Sequence, residues 1–389
     1  MSAKDRLSER MTPLLKRIVE RGPAGVACAV TRRGETLYRE SFGFADIEKN
    51  RAIAEDTLYR IYSMTKVVTC VAALRLYEKG YFLLDDPLEE YLPAFANPAV
   101  ARIDEDGNET VSPASGSIRI KHLFSMSSGI TYGGTATDTE RRTQEIWHKA
   151  QTESDARSFA QALGAIPLAF EPGTRWRYGL SHDVLAALVE TVSGQTYGQY
   201  LKKEIFDPLG MRDTTFRLTE DNRHRLCTLY HYEEGRKLTP SGHNPPMDGW
   251  YEPACPFESG GIGLLSTIGD YSRFAQALAQ GGELDGERIL SPHTIALMAT
   301  NQLDEQQLRD FGGDASGYGY GLGVQTLMNR APGGNNGTIG HFGWPGLAGT
   351  YMLVDPAEQL SIVYMQQMMP NLERHTQPRL RQVVYGALD

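Results

Sequence analysis

Apolar residues recur at helical spacing in the opening stretch MSAKDRLSERMTPLLKRIVERG, at Leu7, Met11, Leu14, Leu15 and Ile18. A single apolar stripe of that period predicts an amphipathic helix. The pattern then changes, and GVACAVTRRGETLYRESFG reads as two strands joined by a tight turn at Arg33-Gly34. YRIYSMTKVVTCVAALRLYEKG, residues 59–80, is different again. Val67, Val68, Val71, Ala72, Leu74 and Leu76 leave it apolar on nearly every side. That predicts a buried helix, with Gly80 as its C-terminal stop.

From DDPLEEYLPAF to about Glu190, prolines, glycines and short helical patterns dominate. Two polar stretches, IDEDGNETVSPASGS and TYGGTATDTERR, read as long surface loops. Helical periodicity returns over 183–205, DVLAALVETVSGQTYGQYLKKEI. The Gly- and Pro-rich PSGHNPPMDGWYEPACPFESGG is long enough for a substrate-facing loop. YGYGLGVQTL, GTIGHFGWPG, LAGTYMLVDP and QLSIVYMQQM then read as strands, with Asp355-Pro356 the clearest turn. A last helix is expected over roughly 376–388. The expected fold is α/β of the α+β type, with an antiparallel sheet built from both chain ends and flanked by helices. One domain would comprise 1–80 and about 190–389, and a mostly helical insertion about 81–189.

Composition narrows the function. A length of 389 residues allows two domains or one with a large insertion. The net charge of -9 disfavours nucleic acid or an anionic membrane as the main partner. Cys28, Cys70, Cys227 and Cys255 form no C-x-x-C pair, so neither a disulfide framework nor a zinc site is indicated, and reduced thiols fit a cytoplasmic location. The first helix has no signal-peptide apolar core. No apolar run reaches the roughly 18 to 20 residues that span a bilayer. No metal or cofactor is expected, and the oligomeric state is not specified.

Ser63 and Lys66 lie three apart in the buried helix. Residues at that spacing share a face, with Cβ atoms about 5 to 6 Å apart. A serine hydroxyl needs a partner to take its proton, and desolvation would lower the lysine toward a useful range. A helix N-terminus also aims N–H groups at any oxyanion formed there. The alternative is an N-cap serine and a lysine snorkelling to solvent. Tyr178, in EPGTRWRYGLSHDVLAALVETVSG, is either a cation-flanked general base or a core tyrosine. In GHFGWPGLAG, Gly343 and Gly346 bracket Trp344, as either a backbone approach to a ligand or an ordinary hairpin. His182 reads as structural.

In this order, the three stretches resemble the serine β-lactamase and penicillin-binding protein superfamily, in its class C-like branch. There S-x-x-K, a Y-x-N-like motif and a K-T-G-like strand motif line one cleft. IKHLFSMSSGI, FEPGTRWRYG, DPLGMRDTTF and SGGIGLLSTIGDYSRFAQAL are also similar to that family, and the resemblance spans roughly residues 20–389. It implies a β-lactamase-like fold. It also implies Ser63 as acyl-accepting nucleophile, Lys66 as its assistant, Tyr178 as shared acid/base, and an oxyanion hole from the N–H groups of Ser63 and Trp344.

Two departures from the family pattern bear on substrate. Tyr178-Gly179-Leu180 lacks the asparagine that would bind a β-lactam amide. His341-Phe342-Gly343 lacks the lysine and hydroxyl that would hold its carboxylate. The Y-x-L pattern with Trp344-Pro345-Gly346 looks most like the family VIII carboxylesterases and their acyltransferase relatives. On that resemblance Leu180, His341, Phe342, Gly343 and Gly346 would contact substrate, with His341 a polar group beside it. The G-x-S-x-G elbow of α/β-hydrolases is absent. The expected activity is hydrolysis of small-molecule esters of small to medium acyl chain. The alternatives are a D-amino-acid amidase or peptidase, an acyltransferase, a weak β-lactamase and a non-catalytic binding protein.

Overall fold

The structure, a computed structural model, describes residues 1–233, 235, 237–241, 248–312 and 317–388. Helix α1 (Ala3–Arg21) starts from a reciprocal cap, in which Ser2 Oγ accepts from Asp5 N at 3.2 Å and Asp5 accepts from Ser2 N at 3.0 Å. It leads into β1 (Gly25–Arg32), β2 (Glu35–Asp46) and β3 (Arg51–Ala52). The far end of the chain supplies β4 (Tyr318–Tyr320), β5 (Gln325–Leu327), β6 (Phe342–Pro345), β7 (Tyr351–Asp355) and β8 (Leu360–Met365). Among the described residues these form one sheet in the order β4-β5-β6-β7-β8-β1-β2-β3. The first strand pairs antiparallel with the last, from Ala27 opposite Met365 to Arg32 opposite Leu360. The β1–β2 turn takes Arg33 and Gly34 to φ 53° and 82°, the twist that suits a tight hairpin.

Helices α2 (Thr65–Glu78), α3 (Asp138–Glu153), α4 (Ser181–Ser193), α5 (Ile268–Ala279) and α6 (Glu373–Ala387) complete the frame. One face of the sheet buries Val26, Cys28, Val30, Ile362 and Tyr364 against Leu7, Met11 and Leu15 of α1 and Leu380 and Val384 of α6. The other face presents Ala27, Ala29, Val363 and Met365 to a core shared with α2 and α5. Both faces are covered, which is why these strands read as continuous apolar runs and not as alternating ones.

Several local expectations change. The helical run over 183–205 is broken: α4 ends at Ser193 with Gly194 in the left-handed region, and a new helix, Tyr197–Leu201, starts after the Thr196 cap. The polar stretch IDEDGNETVSPASGS is no loose loop, since Ala99–Ile103 pairs with Glu109–Pro113 as a hairpin. TYGGTATDTERR runs into α3, capped by Thr137. YGYGLGVQTL is two short strands, because Gly321–Val324 turns between them. The last helix begins at Glu373. Within the proposed substrate-facing loop, residues 242–247 lie outside the described residues.

Leu15 is fully buried between α1 and the sheet. Leu15→Ala is expected to cost about 2–5 kcal/mol, read as a lower urea midpoint with an unchanged slope. A loss under about 1 kcal/mol would remove α1 from the cooperative core.

Candidate active site

Tyr59–Arg60 pairs with Leu265–Ser266, and Ile61 N donates to Leu264 O at 3.2 Å. The chain then tightens into a 3₁₀ turn, Tyr62–Met64, before α2 begins. Tyr62 is buried with φ 43°, a conformation costly for a bulky residue and tolerated only when both flanks are held. They are held. Tyr271 Oη donates to Met64 O at 2.9 Å, and Leu264 N donates to Thr65 Oγ1 at 3.1 Å. Ser63 is left partly exposed on this turn, while Lys66 is fully buried beneath it. Met64, not Ser63, is the N-cap of α2, and Lys66 does not snorkel.

Lys66 Nζ donates to Ser63 Oγ at 3.3 Å, Tyr132 Oη at 3.0 Å and Gly261 O at 2.7 Å. It also lies 4.7 Å from the ring centroid of Tyr178 and 5.7 Å from that of Tyr132. The expected lowering of this lysine is overturned. Burial alone would lower its pKa, but Tyr132, Tyr178 and the buried Asp183 outweigh burial and hold it above the usual lysine value. Tyr132 was not singled out from the sequence. Its only signal is an aromatic residue before two glycines in an otherwise polar stretch. Asp183 was also missed, although an acidic residue in the first turn of an apolar helix is a recognisable anomaly.

Tyr178 sits at the entry to α4, and its Oη accepts from Trp344 Nε1 at 2.9 Å. The motif arginines turn elsewhere: Arg175 forms a bidentate pair with Asp310 at 2.6 and 2.7 Å, and Arg177 is exposed. The cation that faces Tyr178 is therefore Lys66. Trp344 and Phe342 point from β6 to the α2 side of the sheet. His341 does not. It is buried on the opposite face between Tyr318 and Tyr385 of α6, with ring centroids 5.9 Å from each, so it is not beside the site. Leu180 is fully enclosed in the core and offers no surface to a ligand. Gly343 and Gly346 serve close approach within the chain: a Cβ at Gly343 would lie 2.0 Å from Met352 O, and one at Gly346 would lie 2.4 Å from Ile61 O. Gly346 thus lets the end of β6 rest on the segment that carries Ser63. His182 is a buried core histidine, with Nε2 3.2 Å from Phe124 O.

Around Lys66 runs a continuous aromatic wall. Tyr132 meets Tyr178 at 5.8 Å and Trp147 at 5.7 Å, and Trp147 meets Trp250 at 4.5 Å. On the other side Tyr178 meets Trp344 at 5.4 Å, and Trp344 meets Tyr320 at 5.2 Å. A cavity of about 360 Å³, lined by Trp176, Tyr178 and Asp310 among others, opens beside it. A partly exposed hydroxyl, a buried ammonium and two phenols in an aromatic recess are the parts needed for covalent acyl chemistry.

The Beta-lactamase family model matches residues 9–385. Esterase EstB of Burkholderia gladioli is 31% identical over 373 residues, covering 89% of this chain and 86% of that protein. Monacolin J acid methylbutanoyltransferase of Aspergillus terreus is 27% identical, covering 79% of this chain and 75% of that one. The solved structure of EstCE1, described as a hydrolase with promiscuous acyltransferase activity, superposes with a TM-score of 0.82 at 26% identity, over 99% of this chain and 100% of that one.

Burial lowers His341 from 6.5 to about 4, so the folded protein holds it neutral while the unfolded chain protonates at the ordinary value. Its contribution to stability is complete above pH 6.5 and is lost as pH falls from 6.5 towards 4. Urea midpoints measured across that window are expected to fall in the wild type and to fall less steeply in His341→Gln. Equal slopes would contradict the assignment.

Proposed function

We propose that this chain, which belongs to the Beta-lactamase family, is a carboxylesterase acting on small-molecule esters of small to medium acyl chain through an acyl-enzyme on Ser63. It is a serine hydrolase-type enzyme with the β-lactamase fold, and the coarser description, hydrolase or acyltransferase, holds whatever the substrate. The observation that carries the reading is the contact of Lys66 Nζ with Ser63 Oγ, 3.3 Å, inside an aromatic recess. Ser63 Oγ attacks the ester carbonyl and passes its proton to a tyrosinate. The alcohol leaves with that proton, and water, deprotonated by the same group, frees the acid and restores Ser63. Lys66, held above its usual pKa, remains an ammonium and lies 4.7 Å from the Tyr178 ring centroid. Tyr178 is assigned as the acid/base, with Trp344 Nε1 donating to its oxygen. The backbone N–H of Ser63 is assigned to the oxyanion, whereas that of Trp344, also expected there, lies opposite Met352 in the β6–β7 pairing.

Trp344 and Phe342 present carbon on the α2 side of β6, where a β-lactam carboxylate would need a cation. The buried Leu180 supplies no amide for a D-amino-acid or β-lactam substrate. Acyl transfer differs only in the second step, where an alcohol replaces water, and the likeness to EstCE1 and to the Aspergillus acyltransferase supports it as the second reading. The four buried free thiols support a reducing compartment, and we place the chain in the cytoplasm. Among the described residues no helix is long and apolar enough to cross a membrane.

Ser63→Ala is expected to abolish hydrolysis of p-nitrophenyl esters, with wild-type nitrocefin turnover much slower than ester turnover. Tyr178→Phe is expected to lower kcat by about 10²–10⁴-fold and Tyr132→Phe by less. Ester turnover that survives Ser63→Ala would end the mechanism. Faster nitrocefin turnover would end the esterase reading, and a larger effect at Tyr132 would transfer the acid/base role to it.

A further inference from the structure

Asp183 is the carboxylate that acts on Lys66, and no step described so far uses it. It lies on the first turn of α4 and is 1% exposed. Its Oδ1 accepts from Ser259 Oγ at 2.5 Å and from Gly261 N at 3.1 Å. Its Oδ2 has no hydrogen-bond partner among the described residues. A Cβ at Gly261 would sit 2.6 Å from that oxygen, so only glycine leaves the carboxylate room. The same Gly261 turns its carbonyl to Lys66 Nζ at 2.7 Å. One residue therefore has its N–H held by an anion and its C=O held by a cation.

A role as helix cap does not explain this arrangement. α4 has Leu180 at its N-cap with no side-chain cap bond, and Asp183 Oδ1 is committed to the Ser259–Gly261 turn. Nor does packing, because an isolated buried carboxylate is costly unless a charge answers it. The groups that face Lys66 are Ser63, Tyr132 and Tyr178 across the recess, Gly261 O and Asp183 on the glycine turn and α4, and Cys70 and His182 behind it. Asp183 is faced in turn by Ser259, the Gly261 N–H, Lys66, Tyr132 and Tyr197; burial pushes its carboxyl above the usual range, and Lys66 and the two donors act against that. Among these groups the one carboxylate is Asp183. We propose that Asp183 is a positioning residue that seats Lys66 through the Ser259–Gly261 turn and keeps it cationic throughout the reaction, reserving the base role for a tyrosine.

The inference rests on the Ser63 reading but not on the substrate, so it is read in two ways. One is the pH profile of kcat/KM for a p-nitrophenyl ester. The other is the pH profile of Ser63 labelling by a fluorophosphonate, which reports nucleophilicity whatever the natural substrate is. In Asp183→Asn the alkaline fall of both profiles is expected to move down by about 1–3 pH units, with KM little changed. Ser259→Ala removes a donor to the Asp183 carboxylate and two acceptor contacts of the turn, and is expected to move the alkaline limb in the same direction by a smaller amount. Asp183→Glu, which keeps the charge, is expected to hold the wild-type limb even at a lower rate and covers the case in which the asparagine variant does not fold. A uniform drop in Asp183→Asn with no displaced limb would reduce Asp183 to a structural part. Raised activity at low pH in that variant would make neutral Lys66 the base and overturn the proposal. Failure of ester turnover with intact Ser63 labelling would end the substrate reading and leave the labelling profile as the arbiter.

Discussion

A fully buried ammonium must find an acceptor for each of its three protons or cost several kcal/mol, and Lys66 meets that demand with Ser63 Oγ, Tyr132 Oη and Gly261 O. The three acceptors belong to three separate stretches of chain: the 3₁₀ turn before α2, the segment that leads to α3, and the glycine turn before α5. Satisfying one cation thus draws together the nucleophile, a phenol and a backbone carbonyl. The glycines at 260 and 261 follow from the same demand, because a Cβ at 260 would lie 2.4 Å from His182 O and one at 261 would strike Asp183. Thr69, one turn along α2 from Lys66, binds Gly260 O and fastens the turn from its other side.

The architecture was legible because it rests on patterns that survive in short windows. Apolar strand runs with turn signals at both chain ends pointed to one antiparallel sheet flanked by helices, and the register of β1 with β8 joins those ends. Ser63, Lys66 and Tyr178 were legible as motif positions, and the structure gathers all three. Tyr132 and Asp183 were not, since each acts across a long stretch of chain and neither disturbs a local period enough to declare a role. His341 is a different kind of miss. Strand residues alternate faces, so once Phe342 and Trp344 are assigned to the site side, His341 must face the other way. Matching it to a family motif overrode that parity. Leu180 is similar: its position in the motif is right, but its side chain belongs to the core.

On the esterase reading, the aromatic wall and the buried charges divide the work of selecting a substrate. A charged substrate group would have to exchange water for tyrosine and tryptophan faces, with Lys66 already saturated by its three acceptors and Arg175 committed to Asp310. A neutral acyl chain loses little by entering and gains apolar burial at about 25 cal/mol per Å².

The strained turn at Tyr62 can then be understood as part of the same construction. A residue at φ 43° would relax in an open loop. Here Ile61 and Met64 are bound on either side, and Thr350 Oγ1 donates to Ile61 O at 3.3 Å from the sheet. Gly346, resting against that same carbonyl, ties the turn to β6 and so to Trp344. The sheet built from the two chain ends sets the distance between β6 and the start of α2. A change in that packing would move Trp344, and the Tyr178 oxygen to which it donates, relative to Ser63. Stability of the sheet and placement of the Ser63 turn against β6 are therefore coupled through a glycine that could carry no side chain.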